Sequence, residues 1–288
     1  MFSWEASLSN ELYFVRQYFY SGNYTKLFEI DTTSMSEKGL ELTEIYMARA
    51  KLALGESLES IQSILTQKTP GSAAILALAG EGNMELIIDQ HGNSDSVVQT
   101  LGAIFQIKNG SFDDAMDLLK KSVENLEAVA LQVYIHLREH KIEAAEQTLK
   151  QALDWADEEI VLQLAQSWIK IVSGGVESYN DAFYVFEELN GTDSNPMTLT
   201  GMACADICLL RPEEALSSLK TALDSQPNYE EALSNMTTAI TDLGPDAPSQ
   251  AKNILSSFTN SSTLKLNDHL NEKAQEFDTF STQFLSTA

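Results

Sequence analysis

Small and large apolar residues recur at helical intervals along much of the chain. In the run RPEEALSSLKTALDSQPNY, which follows the apolar segment LTGMACADICLL, Ala215, Leu219 and Ala222 fall on one helix face, and Pro227 ends the helix. Small residues at the first and third positions let a neighbouring helix approach closely, and the leucine between them fills the gap. The same order recurs upstream. GSFDDAMDLLKKSV carries Ala115, Leu119 and Ser122; KIEAAEQTLKQAL carries Ala145, Leu149 and Ala152; SYNDAFYVFEEL carries Ala182, Phe186 and Leu189. The first small residues of successive copies lie 30, 37 and 33 residues apart, and Gly174 and Gly175 predict an enlarged turn in the longest interval.

Weaker copies stand nearer the start. YSGNYTKLF, residues 20–28, has a Gly-x-aromatic turn, but Leu27 occupies the next small position. LALGESLESIQSIL, with Ile61 and Leu65, is similar, and EGNMELIID, residues 81–89, is weaker still. The register of residues 66–94 is the least defined. After Pro227, Ala232, Leu233, Met236, Ile240 and Leu243 mark a further amphipathic helix, stopped by Gly244 and Pro245. SQAKNILSSF reads as its partner. In the last segment Leu266, Leu270, Ala274, Phe277, Phe280 and Phe284 form one stripe, predicting a terminal helix that covers the open end of a stack.

A small–large–small–Pro order near a 34-residue period is the signature of the second helix of a tetratricopeptide hairpin. The expected fold is therefore all-α: a right-handed α-solenoid of tetratricopeptide-like hairpins with a C-terminal capping helix. It spans residues 1–288 as a single domain, with degenerate repeats over 8–94, clearer ones over 95–243 and terminal helices over 247–288. Such stacks usually bind proteins, because their inner helices present an extended concave face. The repeat register places Tyr20, Ile104, Tyr134, Leu137 and Ile207 on the first helices of hairpins. Each either lines a partner groove or belongs to ordinary helix–helix core.

Charge narrows the partner classes. Lys plus Arg number 18 against 42 Asp plus Glu, a formal charge of −24, which repels phosphate backbones and anionic lipids. Nucleic acid is not an expected partner. The opening MFSWEASLSNELYFVRQYF carries Glu5, Glu11 and Arg16 among its apolar residues, unlike a signal peptide or a membrane span. The expectation is a cytosolic protein with no direct membrane insertion.

Candidate chemistry is sparse. Cys204 and Cys208 are one helical turn apart, yet a closed zinc site needs four ligands and no second pair is near in sequence. Small buried core residues are the better reading. His136 and His140 share the same spacing without the glutamate of a metalloprotease helix, and read as a surface or interface pair. Neither GxxxxGK[ST], GxGxxG nor GxSxG occurs. The glycosylation triplets at Asn23, Asn190, Asn235 and Asn260 carry little meaning without secretion. No catalytic, cofactor, metal or small-molecule substrate residue is assigned.

Four stretches go beyond the repeat: LYFVRQYFYSGNYTKLFEI near the start; IVLQLAQSWIKIVSGGVESYNDAFYVFEEL, residues 160–189; GMACADICLLRPEEALSSLKTALDSQPNYEEALSNM, residues 201–236; and the tail NEKAQEFDTFSTQFLSTA. Their order and content resemble the epsilon subunit family of coatomer, the COPI vesicle coat, nearly end to end. That resemblance implies a non-enzymatic subunit, without cofactor, whose solenoid curves around part of the C-terminal region of the alpha coatomer subunit and stabilises it. It implies Golgi-to-ER retrograde and intra-Golgi transport, and a cytoplasmic location, peripheral on Golgi and COPI vesicle membranes through the coat. The alternative is a tetratricopeptide adaptor that binds peptides in another cytosolic complex.

Overall fold

The structure, a computed structural model, describes residues 3–156, 159–192, 194–241, 243, 249–251, 253–254 and 266–287. The regular structure of the described residues is helical, with no strand among them. The helices follow one another as hairpins: α1 (Ser3–Tyr20) and α2 (Tyr24–Phe28), α3 (Glu37–Ala53) and α4 (Leu58–Gln62), α5 (Pro70–Leu78) and α6 (Met84–His91), α7 (Ser96–Lys108) and α8 (Phe112–Leu119), α9 (Leu126–Arg138) and α10 (Ile142–Leu153), α11 (Ile160–Ser173) and α12 (Val176–Thr192), α13 (Pro196–Cys208) and α14 (Pro212–Ser225). Then come α15 (Glu230–Thr241) and α16 (Leu266–Thr287). The chain divides into two compact units, Met1–Val185 and Phe186–Ala288, at a point inside α12 that no sequence feature marks.

One turn is repeated between the two helices of successive hairpins, and it shows why the chain reverses there. The N–H of Gly110 donates to the Ile107 carbonyl, and the N–H of Ser111 to that of Gln106. Gly22 and Asn23, Gly55 and Glu56, Gly80 and Glu81, His140 and Lys141, and Leu210 and Arg211 make the equivalent pairs. This closure satisfies carbonyls the ending helix leaves open, and it needs a left-handed residue. Gly110 has φ 80°, where a missing Cβ removes the penalty, whereas His140 and Leu210 hold φ 59° and 58° with side chains attached. Entry to the next helix is set by caps. The Asn125 side chain accepts from the N–H groups of Glu127 and Ala128, and Asn195 with Thr198 forms a capping box before Pro196.

In the first unit each odd-numbered helix from α1 to α9 packs on the even helix after it and on the next odd helix, the neighbour pattern of an α-solenoid. The small–large–small positions do what their spacing predicts. Ala115, Leu119, Ala145, Leu149, Ala152, Ala182 and Phe186 are all buried. Ser122 lies beyond the end of α8 and is half-buried. Residues 66–94, indistinct in sequence, form the α5–α6 hairpin, opened by a capping box of Thr69 and Ser72.

In the second unit α13, α14 and α15 pack mutually around Leu199, Ala203, Ala215, Leu219, Ala222, Ala232, Met236 and Ile240. Gly201 lets α13 lie against Phe186, since a Cβ there would come within 2.4 Å of its ring. The stop expected at Gly244 and Pro245 lies outside the described residues. The terminal helix forms, but its expected covering role needs correction. Phe277, Phe280 and Phe284 are 71%, 68% and 72% exposed. An apolar stripe at helical spacing predicts the helix and requires a covering surface; it does not say which surface supplies it.

Candidate partner-binding site

The inner helices of the first unit form a ring. α1 packs on α3, α3 on α5, α5 on α7, α7 on α9 and α9 on α11, and α11 returns to contact α1. The ring surrounds a cavity of about 530 Å³, partly open to solvent, whose lining includes Leu8, Leu12, Arg16 and Tyr20 of α1 and Leu42, Tyr46 and Arg49 of α3. Thr100 and Leu101 of α7, Glu127 of α9, and Trp155 and Glu159 before α11 face it from the other side.

The chain has four arginines, and two of them point into this space. Arg49 donates from both terminal nitrogens to the Glu127 carboxylate, one bond being 2.9 Å, with both side chains largely buried at 14% and 13% exposure. Its guanidinium also lies 4.6 Å from the centre of the Phe19 ring and 5.5 Å from that of Tyr46. Arg16 pairs with Glu159 at 3.6 Å. The Tyr20 and Tyr46 hydroxyls meet at 3.4 Å.

Burial opposes the charge on Arg49, but Glu127 and its hydrogen bonds overcome this and hold the guanidinium above its ordinary pKa. Burial, and then the Glu127 charge, push the Tyr20 hydroxyl well above the usual range; the same two causes raise Tyr46. Both tyrosines therefore stay protonated and can donate. The cavity thus combines apolar walls, neutral hydroxyls and ion pairs already matched to each other. That suits a polypeptide segment, which brings apolar side chains and backbone groups rather than net charge.

The sequence-expected groove residues do not converge. Tyr20 lines the cavity. Ile104 packs against the core of α3, α5 and α7, Leu137 is 8% exposed, and Tyr134 is 38% exposed. Ile207 belongs to the second unit and packs on its core. The residues that reasoning from the repeat missed are Arg16, Tyr46, Arg49, Glu127 and Glu159. A signal was present. Arg16 and Arg49 are 33 residues apart and Glu127 and Glu159 are 32 apart, so each pair repeats once at the solenoid period.

The candidate metal pairs do not assemble. No group of three or more His, Cys, Asp or Glu side chains suited to a metal occurs among the described residues. Cys204 and Cys208 are free thiols, and Cys204 donates to the Asn235 side-chain oxygen at 3.4 Å. Burial pushes the Cys204 thiol up to about 11 and raises Cys208 as well. His140 sits in the left-handed turn, off the helix that carries His136, and burial lowers the pKa of His136. No described helix is long and apolar enough to cross a membrane.

Comparison with known proteins agrees with the sequence resemblance. The family described as Coatomer epsilon subunit matches residues 8–285. Coatomer subunit epsilon-2 of Arabidopsis thaliana is 26% identical over 246 residues, 79% of this chain and 82% of its own. Coatomer subunit epsilon-1 of Oryza sativa subsp. japonica is 25% identical over 247 residues, covering 81% of this chain and 85% of its own. Among solved structures, the P58(IPK) TPR domain aligns over 95% of this chain and 80% of its own, at 17% identity and a TM-score of 0.29. At that score the α-solenoid assignment rests on the helix pairing and the repeated turn instead. With a family match from residue 8 to residue 285, the chain belongs to the coatomer epsilon subunit family.

Proposed function

We propose that this chain is a structural subunit of the COPI coat, and that the ring of its first unit holds a segment from the C-terminal region of the alpha coatomer subunit. The observation that carries the second part is the ring itself, closed by contact of α11 with α1 around a lined cavity. Leu8 and Leu42 offer apolar surface for burial, while the Tyr20–Tyr46 hydroxyl pair offers a donor to a partner's backbone carbonyl. Tyr20 is the one expected groove residue that this proposal uses. Burying the segment stabilises it by removing apolar surface from water and by satisfying its backbone polar groups.

The net charge of −24 disfavours direct contact with anionic lipid, so other coat subunits make the membrane contact and this one is peripheral through them. In that role it supports Golgi-to-ER retrograde and intra-Golgi transport from the cytoplasmic side.

The test is co-purification of the full chain with the C-terminal region of the alpha subunit, followed by gel filtration at low and high salt. A complex that survives both salts supports burial-dominated binding. Replacing Leu8 and Leu42 with Asn should weaken it more than changes outside the cavity. A well-folded chain that does not bind would overturn the alpha-subunit reading in favour of a peptide adaptor.

A further inference from the structure

The ion pairs in the ring have an order that a random scatter of charges would not produce. Arg16 and Arg49 occupy equivalent places on α1 and α3, one repeat apart; Glu127 and Glu159 occupy the starts of α9 and α11, again one repeat apart. The earlier arginine meets the later glutamate, and the later arginine meets the earlier glutamate. The partners are separated by 143 and 78 residues of chain. Arg16–Glu159 therefore bridges the two ends of the ring, and Arg49–Glu127 joins α3 to α9, one inner helix in from each end.

Helix dipoles favour one partner of each pair. Both glutamates stand at helix N-termini, where partial positive charge favours a carboxylate, whereas neither arginine reaches the last turn of its helix.

The seam is also a lightly packed joint, no tighter than that of α7 on α9. α1 meets α11 over a much smaller contact than it makes with α3. Meanwhile the cavity, at about 530 Å³, is the size of a small-ligand pocket. A stable subunit interface buries about 800 Å² on each partner. The cavity is partly open to solvent, but its volume is small for a partner face of that area, so seating one calls for the ring to widen.

We propose that Arg16–Glu159 and Arg49–Glu127 form a two-rung clasp that holds the first unit closed when it is alone, and that the α1–α11 seam opens to admit the partner segment. The device rests on the partner reading above for what enters, but the clasp itself is a property of the free chain. Charge pairs whose partners lie far apart in sequence make a natural latch: intact, they select one closed arrangement; broken, they leave half-buried charges that favour opening.

The experiment is hydrogen exchange on the full free chain, followed helix by helix, in the parent, in Arg16→Glu, in Glu159→Arg and in the combined swap. Each single reversal should speed exchange across α1 and α11 by about tenfold or more, as expected for like charges at a half-buried joint, with α5 and α7 unchanged. The combined swap should restore the parental rates, which a merely unfolded variant would not do. Unchanged seam rates in the single variants, or a swap that restores nothing, would overturn the clasp.

A second arm joins Arg16→Cys to Glu159→Cys with a short bismaleimide in a Cys204→Ala/Cys208→Ala background. Cross-linked chain should load the alpha C-terminal region far more slowly than uncross-linked chain, and cross-linking after loading should trap the complex. Equal loading rates would show that the segment threads a closed ring and would overturn the opening step. If the parent chain binds no alpha region, the partner reading fails, and the exchange arm alone decides the clasp.

Discussion

In the second unit Ala203, Ala215, Ala222, Ala232 and Ala239 are fully buried and pack in one apolar cluster with Leu219 and Met236. On the inner face of the first unit two arginines and two glutamates point inward instead. The alanine core is built by neighbours one turn or one helix away, so closeness of approach is its whole design. The charged interior is built by chain ends that meet only after several hairpins have stacked. One region is held by local shape, the other by closure, and perturbations should separate them.

The largest effect is expected at the buried pair. Glu127→Ala leaves the Arg49 guanidinium without its counter-charge in a largely buried place, and should cost about 3–5 kcal/mol. Replacing both partners, as Arg49→Met with Glu127→Leu, should recover most of that loss, because the penalty comes from the uncompensated charge. Urea unfolding of the four chains of this cycle measures the coupling. Two single variants with additive effects would show that the pair makes no joint contribution.

Ala215→Trp probes the alanine core. Ala215 has no exposure, so the ring must force α14 away from its neighbours, at about 1–3 kcal/mol or more. Nothing in the second unit can relieve this by a compensating charge. A variant that melts like its parent would show that the packing register there is wrong.

These two sites also differ in how far they could be read beforehand. Ala215, Leu219 and Ala222 declare themselves because the period of a helix and the volume of a side chain are local properties, visible within eight residues. The same logic located Ala115, Ala145 and Ala182, all buried. The residues that the repeat register assigns to a groove do not come together in one place, for a physical reason. An inner helix has a core-facing side and a cavity-facing side, and only the curvature of the stack says which is which. Leu137 and Ile104 fell to the core side. Arg16, Arg49, Glu127 and Glu159 repeat at the right interval, yet a charge repeated once is indistinguishable from a solvated face until closure brings its partner. The α5–α6 hairpin was obscured differently: it carries its turn, at Gly80 and Glu81, without the alanine spacing that marks the others.

The repeated turn offers a finer contrast of the two units, with smaller effects of opposite sign. Leu210 holds φ 58° and is 82% exposed, so its side chain gains little from burial while the backbone remains strained. Leu210→Gly should stabilise by roughly 0.5–1 kcal/mol, the left-handed penalty of about 1–2 kcal/mol less the added freedom of the unfolded chain. Gly110→Ala, at the equivalent turn of the first unit with φ 80°, should destabilise by about 1 kcal/mol. Thermal melts of the two variants should therefore shift in opposite directions. A loss on Leu210→Gly would mean that the leucine side chain contributes contacts its exposure does not suggest.

The smallest expected effect is at exposed phenylalanines, which look like the buried Phe186 in sequence and differ from it in setting. Phe186 is 4% exposed, and its ring lies under Gly201, so Phe186→Ala should cost about 3–5 kcal/mol. Phe277 and Phe280 sit on α16 with most of their surface open. Removing an exposed ring returns no apolar area to water, and the helix interior tolerates serine at a cost of a few tenths of a kcal/mol. Phe277→Ser with Phe280→Ser should therefore stay within about 0.5 kcal/mol of the parent in the free chain. A larger loss in the free chain would mean that the stripe is seated on the fold after all, restoring the covering role that its spacing first suggested.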